Sequence, residues 1–179
     1  ILVRGSVELT TGILTLTMNE TIDATPVSLI ALNTIFLSNA AYETEVSLAN
    51  TRADAIDGVD LIIYLNEAER VAALVRSGTM GGDGVAAHLF SRANGLVDLA
   101  GNNNSNFDIQ LTEFSDHGVP LMINATLDYG TGVLIMFFNE TIMCDPLHML
   151  DVSKLELDDD GVETLNLVGA IAVAQNHTF

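Results

Sequence analysis

Residues Thr11–Pro26 read TGILTLTMNETIDATP, and residues Thr131–Pro146 read TGVLIMFFNETIMCDP. Eight of the sixteen positions are identical, where unrelated stretches of ordinary composition share about one. The offset is 131 − 11 = 120 residues. The register continues beyond the quoted stretch: Leu29 stands against Met149, Leu32 against Val152, Ile35 against Leu155 and Leu37 against Leu157. A period of this length is too long for a solenoid and matches a whole domain. The chain is therefore read as a complete first unit over 1–112, a linker over 113–120 and a partial second unit over 121–179. Phe114–Pro120 (FSDHGVP) is polar and contains Gly and Pro, which marks it as an inter-domain hinge.

The quoted stretch also sets the local structure. Leu14, Leu16 and Met18 alternate with Thr15 and Thr17, the pattern of a half-buried strand. Its twin in the second unit, Val133, Leu134, Ile135, Met136, Phe137 and Phe138, is apolar on both faces. It therefore needs cover on both sides and is the expected assembly strand. Further strands are expected over Val27–Leu32, Ile35–Ser38, Tyr42–Ala49, Leu61–Leu65, Val85–Phe90 and Leu96–Leu99. Between them the period changes. Asn66–Arg76 carries Val71, Leu74 and Val75 at helical spacing, with Asn66 as N-cap and Glu69 placed for a capping box. The sum is a mainly-β chain: an Ig-like β-sandwich with one short inserted helix, followed by a partial second repeat. A second unit of 59 residues is half a sandwich, with one sheet face bare and an edge unpaired. Either the chain continues beyond these residues or a neighbouring copy supplies the missing strands. No leader is recognised, and Ile1–Val7 reads as the interior of a chain, from which a leader has been removed or which continues in a longer protein.

Three segments of the first unit resemble the tandem bacterial-type Ig-like domains of S-layer and adhesin proteins, found in large repetitive extracellular proteins. They are the opening strand and turn TGILTLTMNETIDATP, the strand-then-helix LIIYLNEAERVAALVRSG, and the closing LVDLAGNN over Leu96–Asn103. The resemblance implies a structural spacer or assembly module without a catalytic site. The second unit repeats only the first of the three.

Composition narrows the function classes. The 179 residues carry six Lys+Arg against 24 Asp+Glu, a net charge of −18. Nucleic acid and anionic membrane both require basic patches, so neither is expected as a partner. No apolar run reaches the roughly 18–20 residues of a membrane helix. The lone Cys144 permits no intrachain disulfide. There is no GxSxG, no Gly-rich phosphate loop with a Lys, and no zinc-ligand spacing among His88, His117, His148 and His177. With no Trp and 6% aromatic residues, a sugar-binding cleft is disfavoured too. The chain is expected not to be an enzyme and to carry no cofactor.

Asn-x-Ser/Thr occurs at Asn19, Asn103, Asn124, Asn139 and Asn176. Fourteen Asn and 25 Ser+Thr in this length would give about two by chance. Asn19 and Asn139 hold the same place in the two units. N-linked glycans at these sites would imply an extracellular or cell-surface protein. Calcium is the weaker expectation. Its candidate ligands are Asp158, Asp159 and Asp160, with Asp54, Asp57, Asp60, Asp98 and Asp108 in other acidic turns. None follows an EF-hand loop, and solvated turns account for them more simply. The expected function is a glycosylated, self-assembling structural module of a filament, surface layer or adhesin stalk, its partners being copies of itself. The alternative is a calcium-dependent adhesion or ligand-binding module.

Overall fold

The computed structural model describes residues 2–39, 45–143 and 150–173. The chain is mainly β and divides into two compact units, Ile1–Val119 and Pro120–Phe179.

The first unit opens on a hairpin, β1 (Leu2–Glu8) and β2 (Ile13–Ile22). Its turn needs a glycine. Gly12 sits at φ +69° and donates to the Glu8 carbonyl at 2.8 Å, a left-handed position that any side chain would strain. The alternation read from sequence places Leu14, Leu16 and Met18 inward, all buried. Next to β2 lies β6 (Gly58–Tyr64), then the short β5 (Arg52–Ala53). On the far side of β1 lies β9 (Thr112–Phe114). The sheet order is β5-β6-β2-β1-β9, with β9 parallel to β1 and the other pairs antiparallel. A second sheet contains β4 (Val46–Ser47), β3 (Ile35–Ser38), β7 (His88–Ser91) and β8 (Phe107–Gln110), in that order. Both sheets feed one apolar cluster. Val7, Leu14 and Ile63 come from the first and Ile35, Leu37 and Leu89 from the second, all fully buried. Each such side chain contributes about 1.5–3 kcal/mol of transfer free energy.

The helix α1 (Glu67–Val75) follows β6 directly, as the periodicity predicts. Asn66 caps it, its Oδ1 accepting from the Ala68 and Glu69 amides. The reciprocal half of the capping box is missing: Glu69 is buried, and its Oε2 has no hydrogen-bond partner among the described residues.

Several strand expectations are corrected. Val27–Leu32 is not extended; two 3-10 turns occupy Val27–Leu29 and Leu32–Thr34. This segment carries the chain from one sheet to the other without a strand beside it, so the amides of Ile30 and Thr34 bond back to Val27 and Ala31. Leu96–Leu99 is likewise no strand, although Val97 bridges Asn103 and Asp98 bridges Ile22. In the Tyr42–Ala49 stretch only Val46–Ser47 is strand among the described residues, and 42–44 lie outside them. The segment read as a linker over 113–120 is tied into the first unit. Thr112–Phe114 forms β9, the Leu9 amide donates to the Phe114 carbonyl, and Asp116 pairs with Arg70.

The second unit repeats the first hairpin residue for residue. Its strands are β10 (Met122–Asp128) and β11 (Val133–Phe138). Leu2↔Met18 becomes Met122↔Phe138, Arg4↔Thr17 becomes Asn124↔Phe137, and Glu8↔Ile13 becomes Asp128↔Val133. The register shift between residues 2 and 4 recurs between 122 and 124. Gly132, at φ +71°, repeats Gly12. A 3-10 turn at Val152–Lys154 repeats Leu32–Thr34. The pair β12 (Glu156–Asp158) and β13 (Thr164–Asn166) then repeats β3 and β4. Phe36↔Ser47 corresponds to Glu156↔Asn166, offsets of 156 − 36 = 120 and 166 − 47 = 119, so this connection is one residue shorter.

Candidate functional site

No convergent polar cleft was expected, and the features that bear on function are the sequon asparagines, the acidic turns and the β10–β11 hairpin. Asn19 lies within β2, is exposed, and sits where the pairing of β2 with β6 is interrupted between Thr17 and Ile22. Asn139 follows β11 immediately and is exposed. Its backbone amide donates to the Leu121 carbonyl at 3.0 Å and its Oδ1 accepts from the Leu121 amide at 2.6 Å. These bonds use the carbonyl end of the side chain, while the amide nitrogen is the atom that carries an N-glycan. Asn124 is exposed on β10, in the place Arg4 holds on β1. The structure therefore brings Asn124 and Asn139 to the same end of one hairpin. Asn103 is exposed in the loop opposite Val97, and Asn176 lies outside the described residues.

The acidic turns are held by their own backbone. Asp98 Oδ1 accepts from the Ala100 and Asn102 amides at 2.8 Å each, and its Oδ2 from the Asn102 side chain at 2.9 Å. These bonds, the Asn102 side chain first, hold the Asp98 carboxyl below its ordinary 3.8. Gly101 closes this turn at φ +85°, a left-handed position open to glycine. Asp128 shifts in the same direction, because the Thr131 hydroxyl and the Gly130 and Thr131 amides donate to it. Asp158 caps its turn by accepting from the Gly161 amide, and Asp159 and Asp160 beside it are exposed. Among the described residues no group of three or more His, Cys, Asp or Glu is placed to hold a metal ion. No helix among them is long and apolar enough to cross a membrane.

β11, the expected assembly strand, lies in the described sheet beside β10 alone. In the first unit the same hairpin is flanked by β6 on one edge and β9 on the other. The consequence shows in burial. Leu14 and Leu16 are fully buried, whereas Leu134 and Met136 are only half-buried. Leu9 is fully buried, whereas Tyr129 at its place is 90% exposed. On the outer face Thr15 gives way to Ile135, 38% exposed, and Val133 is 50% exposed.

The sequence reading passed over two polar anchors. Arg70 is buried and joins three segments. Its guanidinium donates to Glu67 at 2.7 and 2.9 Å, to Asp116 at 2.7 Å and to the Leu9 carbonyl at 3.0 Å. The Glu67 bonds chiefly raise its pKa, burial opposing them. Glu113 receives the Gly78 amide on one oxygen and the Ala87 amide on the other. One signal was available in advance: in a chain with only six basic residues, an arginine on a mostly apolar helix face has a structural partner to find.

In comparisons with known proteins, no family model, curated protein or solved structure matches this chain.

Proposed function

We propose that this chain is part of a structural, self-assembling module of an extracellular glycosylated filament, surface layer or adhesin stalk. Each full unit is an Ig-like β-sandwich, and the units repeat along the polypeptide. The observation that carries this reading is the recurrence of one hairpin, with the same pairs, the same register shift and the same glycine turn, 120 residues apart. A duplicated framework of this size is a means of building length. Two further observations support it. The four described sequon asparagines are all exposed, with Asn19 and Asn139 at equivalent places. The second hairpin presents apolar residues on both faces of an edge strand, which favours association.

The test is electron microscopy and sedimentation of the glycosylated protein as isolated, with site mapping by peptide mass spectrometry. Continuous filaments or sheets with glycans at Asn19 and Asn139 support the reading. A monodisperse monomer with bare asparagines overturns it.

A further inference from the structure

Residues 92–106 join β7 to β8, and within this loop one strip of backbone is clasped by another. Successive amides of the first strip are all taken by the second. The Ala93 amide donates to the Asn106 Oδ1 at 2.7 Å and the Asn94 amide to the Asn104 carbonyl at 3.1 Å. The Gly95 and Leu96 amides both donate to the Asn104 Oδ1 at 2.8 Å. The Asn104 side chain is itself fixed, its Nδ2 donating to the Arg92 carbonyl at 3.1 Å and the Ser105 carbonyl at 2.8 Å. Two backbone amides converging on one atom require that atom to be the oxygen, which sets the orientation of the side-chain amide.

The clasped strip holds the one Asn-Gly pair of the sequence, Asn94–Gly95. The backbone demands both residues. Asn94 lies at φ +66°, a left-handed position that Asn tolerates better than most residues. Gly95 is buried, and a Cβ there would collide with the Thr34 hydroxyl. The pair that this corner requires is also a chemically labile one. With no side chain on the second residue, nothing shields its amide nitrogen from the Asn side-chain carbonyl carbon. That nitrogen can attack Cγ, losing its proton to hydroxide or water. The Cγ–Nδ2 bond then breaks and ammonia leaves. Water opens the resulting cyclic imide at either carbonyl, giving aspartate or isoaspartate and one added negative charge. The two reacting groups are placed unequally here. Asn94 is exposed, whereas Gly95 is buried with its N–H committed to Asn104.

We propose that Asn94–Gly95 is a latent deamidation site, and that the Asn104 side chain holds it closed by keeping the Gly95 amide from losing its proton and from reaching Cγ. Reaction then requires the loop to open, as exchange of the same amide with solvent does, so both processes draw on one opening equilibrium. Conversion at this corner has a structural consequence. The loop is tied to the segment 23–34 by backbone bonds from Ala31 to the Gly95 carbonyl, from Arg92 to the Thr34 carbonyl and from Asp23 to the Val97 carbonyl. Isoaspartate adds a carbon to the backbone between these ties, so the modified corner cannot keep all of them. The site therefore links the covalent ageing of the chain to the integrity of the first unit, and Asn104 sets its pace.

The test ages the full chain in warm, mildly alkaline buffer beside a synthetic peptide of residues 90–98, FSRANGLVD, which has the same pair without the clasp. Conversion at Asn94 is followed by peptide mass spectrometry with isoaspartate-specific labelling, and exchange of the Gly95 amide by NMR. The chain should convert at least about tenfold more slowly than the peptide, the factor that one well-made bond to a buried amide supplies. Asn104→Ala, its fold checked by thermal melt, should lose most of that protection. Asn106→Ala removes the neighbouring bond to Ala93 and leaves the Gly95 bond in place, so it should stay slow. Conversion of the wild-type chain at the peptide's rate would overturn the proposal. So would a folded Asn104→Ala chain that converts no faster than wild type, or an Asn106→Ala chain that converts as fast as Asn104→Ala. Should Asn104→Ala fail to fold, the wild-type chain decides alone. Its conversion must rise in step with Gly95 exchange as denaturant is added, and conversion while that amide stays protected would sink the idea. None of these outcomes depends on whether the chain forms filaments.

Discussion

Leu14 and Leu134 occupy the same position of the repeat, and the structure predicts that truncating them has unequal consequences. Leu14 is fully buried between Ile63 and the second sheet's residues, whereas Leu134 is half-buried. Leu14→Ala removes three buried carbon groups, about 2.4 kcal/mol at about 0.8 kcal/mol each. The cavity left in a closed cluster raises the total to about 3–4 kcal/mol. For a unit of this size that is a fall of about 10–20 °C in Tm. Leu134→Ala encloses no cavity and loses contacts already shared with water, so its cost is about 1 kcal/mol or less. Each variant would be made in the full chain. Hydrogen exchange, read separately on peptides from the two units, would measure the local stability change. Equal costs at the two positions would refute the reasoning, because they would mean that the inner face of β11 is as enclosed in solution as that of β2.

Other outcomes follow from the polar anchors and turns. Arg70→Ala should destabilise the first unit by about 2–4 kcal/mol in denaturant titration, because it strands Asp116 and the Leu9 carbonyl; the lower end reflects Glu67, whose side chain is 30% exposed. Asp98→Ala should lower the first unit's stability at neutral pH. Because the folded-state pKa of Asp98 is lowered, its stabilisation is fully present above about pH 5 and is lost as pH falls below 3.8 through the depressed value. The gap between wild type and variant should therefore close in acid, as read by melts from pH 7 to pH 2. Gly12→Ala and Gly132→Ala should each cost about 1–2 kcal/mol for the left-handed backbone. Gly12→Ala should cost more in the same melts, since its Cβ would meet the Leu65 carbonyl at 3.2 Å while that of Gly132 meets open space.

The elements most legible in the sequence were those whose side-chain pattern and neighbours agree. Ile13–Met18 alternates because one face meets a core, and the structure extends that strand to Ile22. The helix after Leu65 was legible because Asn66 and the 3.6-residue spacing act locally. Val27–Leu32 was misread because an apolar run has no conformation of its own; without a strand beside it, the amides of Leu29, Ile30 and Leu32 bond locally. Thr112–Phe114 was missed because three residues are too few to show a pattern, although Thr and Phe favour strands, and what makes it one is the parallel edge of β1. Of the candidate sites, the exposure of Asn19, Asn103, Asn124 and Asn139 fits the sequon reading, since turn and edge positions keep their side chains in water. That Arg70 has partners was signalled by the scarcity of basic residues, but which they are was not legible, because they come from residues 9, 67 and 116.

By itself the sequence determined the repeat, its 120-residue period and the strand at its centre, because identity between two stretches and alternation within one are properties of the chain alone. Only the tertiary structure decided which sheet each strand joins, which edge of the hairpin β6 covers, and that the same edge of β11 has no described neighbour. The physical reason is that a strand's hydrogen bonds are made to another segment, so its pairing is fixed by what the fold brings alongside and not by its own residues.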